Sequence, residues 1–293
     1  MLFDESTLRK LRQLTLVASR VRSGAIKGER RSSRRGSSVE FADYRNYTAG
    51  DDLRRLDWNI YARLEKPFIK LLEEEEDLAV YVLIDGSRSM DWGEGDQHKF
   101  NYALHLAAGI GAVALGSGDL LSVGFLQGGH VTSEFGPSRG QYALPRLFHF
   151  LEALEANNQT DLNASLRDYS IAPRRAGLVV LISDLFAADG YESGLRQLLS
   201  HGHEAALIHV LSPVEVDPPL AGDLQLVDIE TNFEQEVSID GGLRNLYRSR
   251  VLAWIQSTQA DCRKHGIRYL DLVTSQSWDQ ALLLEMRRTG FVK

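Results

Sequence analysis

The chain has 293 residues, 43% of them hydrophobic and 25% charged, which fits a globular protein of one or two domains and excludes a chiefly disordered one. Its single cysteine, Cys262, excludes an intrachain disulfide framework and a multi-cysteine metal centre. The net charge of -7 conceals an asymmetry, because residues 1–70 carry 16 Lys+Arg against 9 Asp+Glu while the remainder carries 17 against 31.

The N-terminal stretch MLFDESTLRKLRQL mixes acids and bases with apolar residues and lacks the apolar core of a signal peptide. No window reaches the roughly 18 apolar residues of a spanning helix. A cytoplasmic protein without a membrane span is expected. The basic stretch KGERRSSRRG has no aromatic side chain on which a base could stack. It reads as an exposed loop, and no nucleic-acid partner is expected.

In chain order, residues 4–22 carry Leu8, Leu11, Leu14, Val17 and Val21 as a stripe that predicts an amphipathic helix. Residues 23–40 are rich in Gly, Ser and Arg and read as loop. VEFADYRNY predicts a short strand. AGDDLRRLDW predicts a turn into a helix with Asp51 as N-cap, and Trp58 is expected to bury a large area. PFIKLLEEEED predicts a strand that enters a solvated acidic turn. From residue 78 the pattern becomes regular. Strands are predicted at 78–84, 120–126, 177–183, 204–212 and 267–273, and helices at 99–116, 142–156, 161–171, 190–202, 243–266 and 278–290. A possible edge strand follows Gly129, and residues 222–240 suggest a hairpin. Continuous apolar runs such as LAVYVLI mark strands buried on both faces. Strands alternating with helices predict an α/β domain over 78–293, with a mostly parallel sheet flanked by helices. Residues 1–77 form an α+β extension docked on it.

Ligands of such sheets bind beyond the carboxyl ends of the strands. At that edge, DGSRSM supplies Asp85, Ser87 and Ser89 directly after a buried strand. QTDLN supplies Thr160 before a helix, and LISDLF ends a second buried strand in Ser183 and Asp184. The set Asp85, Ser87, Ser89, Thr160 and Asp184 consists of hydroxyls and carboxylates. Hard oxygens of this kind suit Mg²⁺, with Mn²⁺ or Ca²⁺ as alternatives. Neutral donors leave such an ion seeking one more oxygen, ideally a carboxylate from another molecule.

DGSRSM, TDL and SDL resemble the metal-ion-dependent adhesion site of von Willebrand factor A domains. EFADYRNYTAGDDLRRLDWNIYAR followed by DGSRSM resembles the bacterial family called domain of unknown function 58, from about residue 30 to the C-terminus. The resemblance implies a von Willebrand factor A-like fold. By its pattern Ser87, Ser89 and Thr160 ligate Mg²⁺, and Asp85 and Asp184 act directly or through water. It also implies a MoxR-type AAA+ ATPase as partner, with work in chaperone-like or metal-centre assembly. Many adhesion-site domains have Asp-Gly where this chain has Asp184-Leu185, which makes Asp184 the departure from the pattern. The expected function is metal-dependent protein binding, without catalysis. A hydrolase using Ser87 or the metal is the alternative, and a scaffold with a vestigial site is the third.

Other signals point to packing. GIGAVALGSG lies inside a predicted helix and follows no strand, so it lacks the geometry of a dinucleotide loop. No G-x-S-x-G elbow surrounds Ser87, and no Walker A sequence is present. Cys262 reads as a packed thiol. His98, His105, His130, His201, His203 and His209 have no telling context.

Overall fold

The computed structural model describes residues 3, 5–11, 13–18, 39–48, 51–74, 78–157, 159–219, 222–227 and 234–293. The basic run 27–35 and the end of the acidic run, 75–77, lie outside the described residues. Two compact units are found, one of Met1–Val21 with Leu78–Lys293 and one of Arg22–Asp77. Residues 1–21 therefore belong with the α/β unit, whereas the sequence reading grouped them with the extension.

The first element, α1 (Glu5–Leu11), is shorter than expected. Beyond it Leu14 and Leu16 are buried without being helical. Leu16 forms a bridge with Val292, and the Thr15 and Lys293 backbones exchange hydrogen bonds of 3.3 and 2.9 Å. That long-range pairing replaces the helix which the leucine stripe suggested.

The smaller unit holds β1 (Val39–Asn46), α2 (Trp58–Leu64) and β2 (Phe68–Glu74), with β1 and β2 antiparallel. Asp51 is not a helix cap; it accepts from the Arg45 guanidinium at 2.5 and 2.6 Å. Asp52 caps a short 3-10 turn, Leu53–Arg55, and Asp57 caps α2 while accepting from the Tyr44 hydroxyl at 2.9 Å. Trp58 is 61% exposed, contrary to the expected burial, and packs edge-to-face on Tyr61.

The larger unit is a mixed α/β fold. Its strands are β3 (Ala79–Asp85), β4 (Leu120–Gln127), β5 (His130–Ser138), β6 (Leu178–Ser183) and β7 (Glu204–Leu211). A separate antiparallel hairpin is made by β8 (Gly222–Val227) and β9 (Glu234–Ile239), and β10 (Arg268–Val273) completes the main sheet. Six strands run in the order β10-β7-β6-β3-β4-β5, parallel except for the edge strand β5. The period-2 geometry of a strand divides β3 between two cores. Val80, Val82 and Ile84 face one apolar cluster, and Ala79, Tyr81 and Leu83 the other.

The first cluster is covered by α3 (Lys99–Gly116), α4 (Leu144–Glu152) and the C-terminal helical segment 278–288. On the other face lie α5 (Leu162–Ile171), α6 (Glu192–Ser200) and, after the short α7 (Pro213–Val216), the long α8 (Gly241–Lys264). The glycines of α3 serve packing: a Cβ on Gly109 would lie 2.3 Å from Leu282 Cδ1, and one on Gly111 2.5 Å from Leu147 Cδ2. Cys262 is buried in the second cluster, and burial pushes its thiol up to about 12.

Candidate metal centre

The chain leaves β3 through α3 to reach β4 on one side, and later enters β6 on the other. The carboxyl ends of β3 and β6 thus flank a topological switch point, the place where an α/β sheet opens a crevice. Asp85 and Asp184 occupy those two ends.

Asp85 is 2% exposed. Its Oδ1 accepts from the Ser87 amide at 2.9 Å, and its Oδ2 from the Ser183 hydroxyl at 2.6 Å. Both donors are neutral, so the carboxylate is hydrogen-bonded while its charge stays uncompensated. Burial and then the charge of Asp184 raise its pKa to about 7, against the lowering effect of those hydrogen bonds. Ser87 and Ser89 are buried beside it, with hydroxyl oxygens 3.0 Å apart. Thr160, half-buried, donates to the Leu126 carbonyl at 3.4 Å. That carbonyl also accepts from the Gly86 amide at 2.9 Å, so Thr160 and the Asp85–Ser87 turn share an acceptor. Gln127 braces the turn from below by donating to the Gly86 carbonyl at 3.1 Å. Four of the five expected residues therefore gather around the end of β3.

Asp184, 1% exposed, has different company. Its Oδ2 receives the Lys99 ammonium at 2.6 Å, and its Oδ1 the Phe186 amide at 3.1 Å. Lys99 is fully buried and also meets Glu215 at 2.5 Å, with its ammonium 5.1 Å from the centre of the Phe186 ring. Glu215 closes a capping box with Ser212 at the end of β7. The Asp184 carbonyl lies 3.0 Å from His209 Nε2, and His209 Nδ1 lies 2.7 Å from the Tyr269 hydroxyl. Burial lowers the His209 pKa to about 4, so this imidazole is neutral. Leu185 follows with φ of 61°, a left-handed backbone that glycine favours. Leu185 thus adopts a backbone that glycine takes up readily, while its side chain is buried.

The donor chemistry admits a hard cation. Octahedral Mg²⁺ with oxygens at 2.0–2.1 Å has neighbouring ligands about 2.9 Å apart, close to the Ser87–Ser89 separation of 3.0 Å. Among the described residues no group of three His, Cys, Asp or Glu side chains is placed to hold a metal, so any such centre relies on hydroxyls. Among the described residues no histidine hydrogen-bonds Ser87, whose hydroxyl meets that of Ser89.

Lys99, Ser183, Gln127 and Glu215 were not singled out from the sequence as members of the site. One signal was available for Lys99: a cation in the first turn of a helix opposes the helix dipole and needs another reason to be there.

The sequence model of the family described as "Protein of unknown function DUF58" matches residues 43–254. Uncharacterized proteins of Mycobacterium tuberculosis and Mycobacterium bovis are 28% identical to this chain, covering 98% of it and 92% of their own length. The conserved hypothetical protein BatB from Bacteroides thetaiotaomicron matches with a TM-score of 0.42 at 15% identity, over 72% of this chain and 98% of that one. An aerotolerance-related membrane protein from Bacteroides fragilis matches with a TM-score of 0.43 at 15% identity, over 72% and 99%. With its family match spanning most of its length, the chain belongs to the DUF58 family.

Proposed function

We propose that the carboxyl end of β3 is a metal-ion-dependent adhesion site of the von Willebrand factor A type, and that the protein is a Mg²⁺-dependent adaptor for a MoxR-type AAA+ ATPase. The observation that carries this reading is the gathering of Asp85, Ser87, Ser89 and Thr160 at the switch point of the sheet. Ser87, Ser89 and Thr160 would supply direct oxygens, and Asp85 would hold a metal-bound water. Bound there, the ion supplies positive charge that a partner's Asp or Glu can complete. Mn²⁺ and Ca²⁺ are the alternative ions.

A neighbouring feature favours a protein ligand. A cavity of about 390 Å³ is lined by Trp92, Val214, Val237, Ile239 and Tyr247, with Glu215 at its wall. Trp92 follows Ser89 in the same loop, so an acidic residue at the metal and an apolar one in the cavity suit a single partner segment.

The test is thermal melting of EDTA-stripped protein, together with binding to a purified MoxR-type ATPase. Mg²⁺ should raise the melting temperature, because a ligand bound only by the native state stabilises it. Asp85→Ala and Thr160→Ala should each remove that rise and the ATPase binding, and Arg287→Ala, at an exposed position of the C-terminal segment, should leave both intact. An absent shift with millimolar Mg²⁺, Mn²⁺ and Ca²⁺ overturns the metal site. ATPase binding that survives EDTA and Asp85→Ala places the interface elsewhere.

A further inference from the structure

We propose that Lys99 is a built-in counter-cation that withdraws Asp184 from the metal, leaving the ion to the hydroxyls and Asp85. The proposal rests on the metal-site reading above and concerns which of its two acids the ion uses.

Lys99 opens α3 and is 0% exposed, yet a cation at a helix N-terminus faces the positive end of the helix dipole. Its placement is explained by the acids it meets. The ammonium has three donors; two go to Asp184 at 2.6 Å and Glu215 at 2.5 Å, and the Phe186 ring lies 5.1 Å away. Asp184 is equally committed, with one oxygen on Lys99 and the other on the Phe186 amide. Turning its carboxylate to a second cation would strip a fully buried ammonium of one of two acidic partners. Breaking one half of a buried ion pair is strongly unfavourable. The incoming ion would also be placed beside a like charge. Asp85 has no such ion pair to break, because only neutral donors hold it.

The consequence is a site in which the direct ligands are mostly uncharged. Such a site binds its ion loosely and leaves it receptive to an outside carboxylate. Lys99 thereby shifts affinity from the protein's own acid to the partner's. Through Glu215, the same ammonium also joins the strand ends to the wall of the apolar cavity.

The experiment is a Mn²⁺ titration of the full chain, followed by the electron paramagnetic resonance of the free ion. Asp184→Asn should change the dissociation constant by less than about threefold, whereas Asp85→Ala should weaken it by about thirtyfold or more. Lys99→Met should tighten Mn²⁺ binding by about tenfold, by freeing Asp184 and removing a like charge. The double variant Lys99→Met with Asp184→Asn should return to the affinity of the unaltered protein, which a merely structural role for Lys99 would not produce. If Lys99→Met does not fold, Asp184→Asn alone decides, since it leaves Lys99 paired with Glu215. An Asp184→Asn loss as large as that of Asp85→Ala overturns the proposal and leaves the metal site standing, as does a Lys99→Met variant that folds but binds no more tightly. Absence of Mn²⁺ uptake by the unaltered protein at millimolar concentration overturns both.

Discussion

Asp85 and Asp184 end neighbouring parallel strands, are both almost fully buried, and are held in opposite ways. Two neutral donors hold Asp85, while an ammonium holds Asp184. The residues that follow differ in the same spirit. Gly86 has no room for a side chain, because a Cβ there would lie 2.4 Å from the Phe125 ring. Leu185 has a left-handed backbone and a side chain buried in the second core. One strand end keeps an unmet charge beside a tight turn, and the other is a finished ion pair anchored by packing. A buried acid whose charge is left open is available for a ligand, and one that is closed serves the frame around it.

The contrast breaks most severely if the closed acid is opened. Lys99→Met leaves Asp184 and Glu215 without their cation and should cost roughly 3–5 kcal/mol in denaturant unfolding of the metal-free protein. A cost under about 1 kcal/mol would mean that the two acids find other partners or take up protons.

The open acid should respond to pH. The folded Asp85 has a pKa raised to about 7 from its ordinary value of 3.8. Below that lower value the carboxyl is protonated in both states. Between the two values only the unfolded chain ionises there, so this group's contribution to stability falls as pH rises, and above about 7 the loss is complete. Asp85→Asn keeps the shape and removes the charge. In EDTA it should stabilise the protein at pH 8 by on the order of 2–4 kcal/mol, with the gain shrinking towards pH 4. A gain independent of pH would show that the Asp85 charge is not what destabilises the metal-free fold.

Gly86→Ala sharpens the comparison at the turn. The added methyl meets Phe125 and the Gln127 Cγ, at 2.7 Å, and should cost about 1–3 kcal/mol. It should also weaken Mg²⁺-induced stabilisation, since the Ser87 amide and hydroxyl move with the turn. An unchanged Mg²⁺ response would detach the turn geometry from the hydroxyl site.

The frame was legible where the signal is local. α3 was expected at 99–116 and spans Lys99–Gly116, because a long apolar stretch with few polar interruptions has only a buried helix available to it. The continuous apolar run before Asp85 announced a strand covered on both faces, and β3 is buried throughout. That Asp85, Ser87, Ser89 and Thr160 would meet at one edge of the sheet was readable because all flank strand or helix ends that the pattern placed. What escaped depends on distant contacts. Lys99 meets Asp184 and Glu215, 85 and 116 residues away, and nothing near HKFNYAL names either partner. The leucine stripe of 8, 11 and 14 suggested a continuing helix, but in the folded chain the backbone at Leu16 pairs with Val292 instead. Trp58 looked like a core residue from its size alone, and size does not reveal which side of a short capped helix faces solvent.

The pairing of residues 15–17 with 291–293 has a kinetic side. Its two partners lie far apart in the sequence. Leu14 and Leu16 would stay without their final neighbours while the intervening sheet forms, and contacts so distant in sequence close late because of their loop entropy. The sheet can form from nearer contacts, yet the face of α3 covered by α1 and the 278–288 segment stays open until both have docked. Until then Gly109, whose place for a Cβ is taken by Leu282, leaves a bare apolar notch on that helix, the kind of surface on which partly folded chains aggregate.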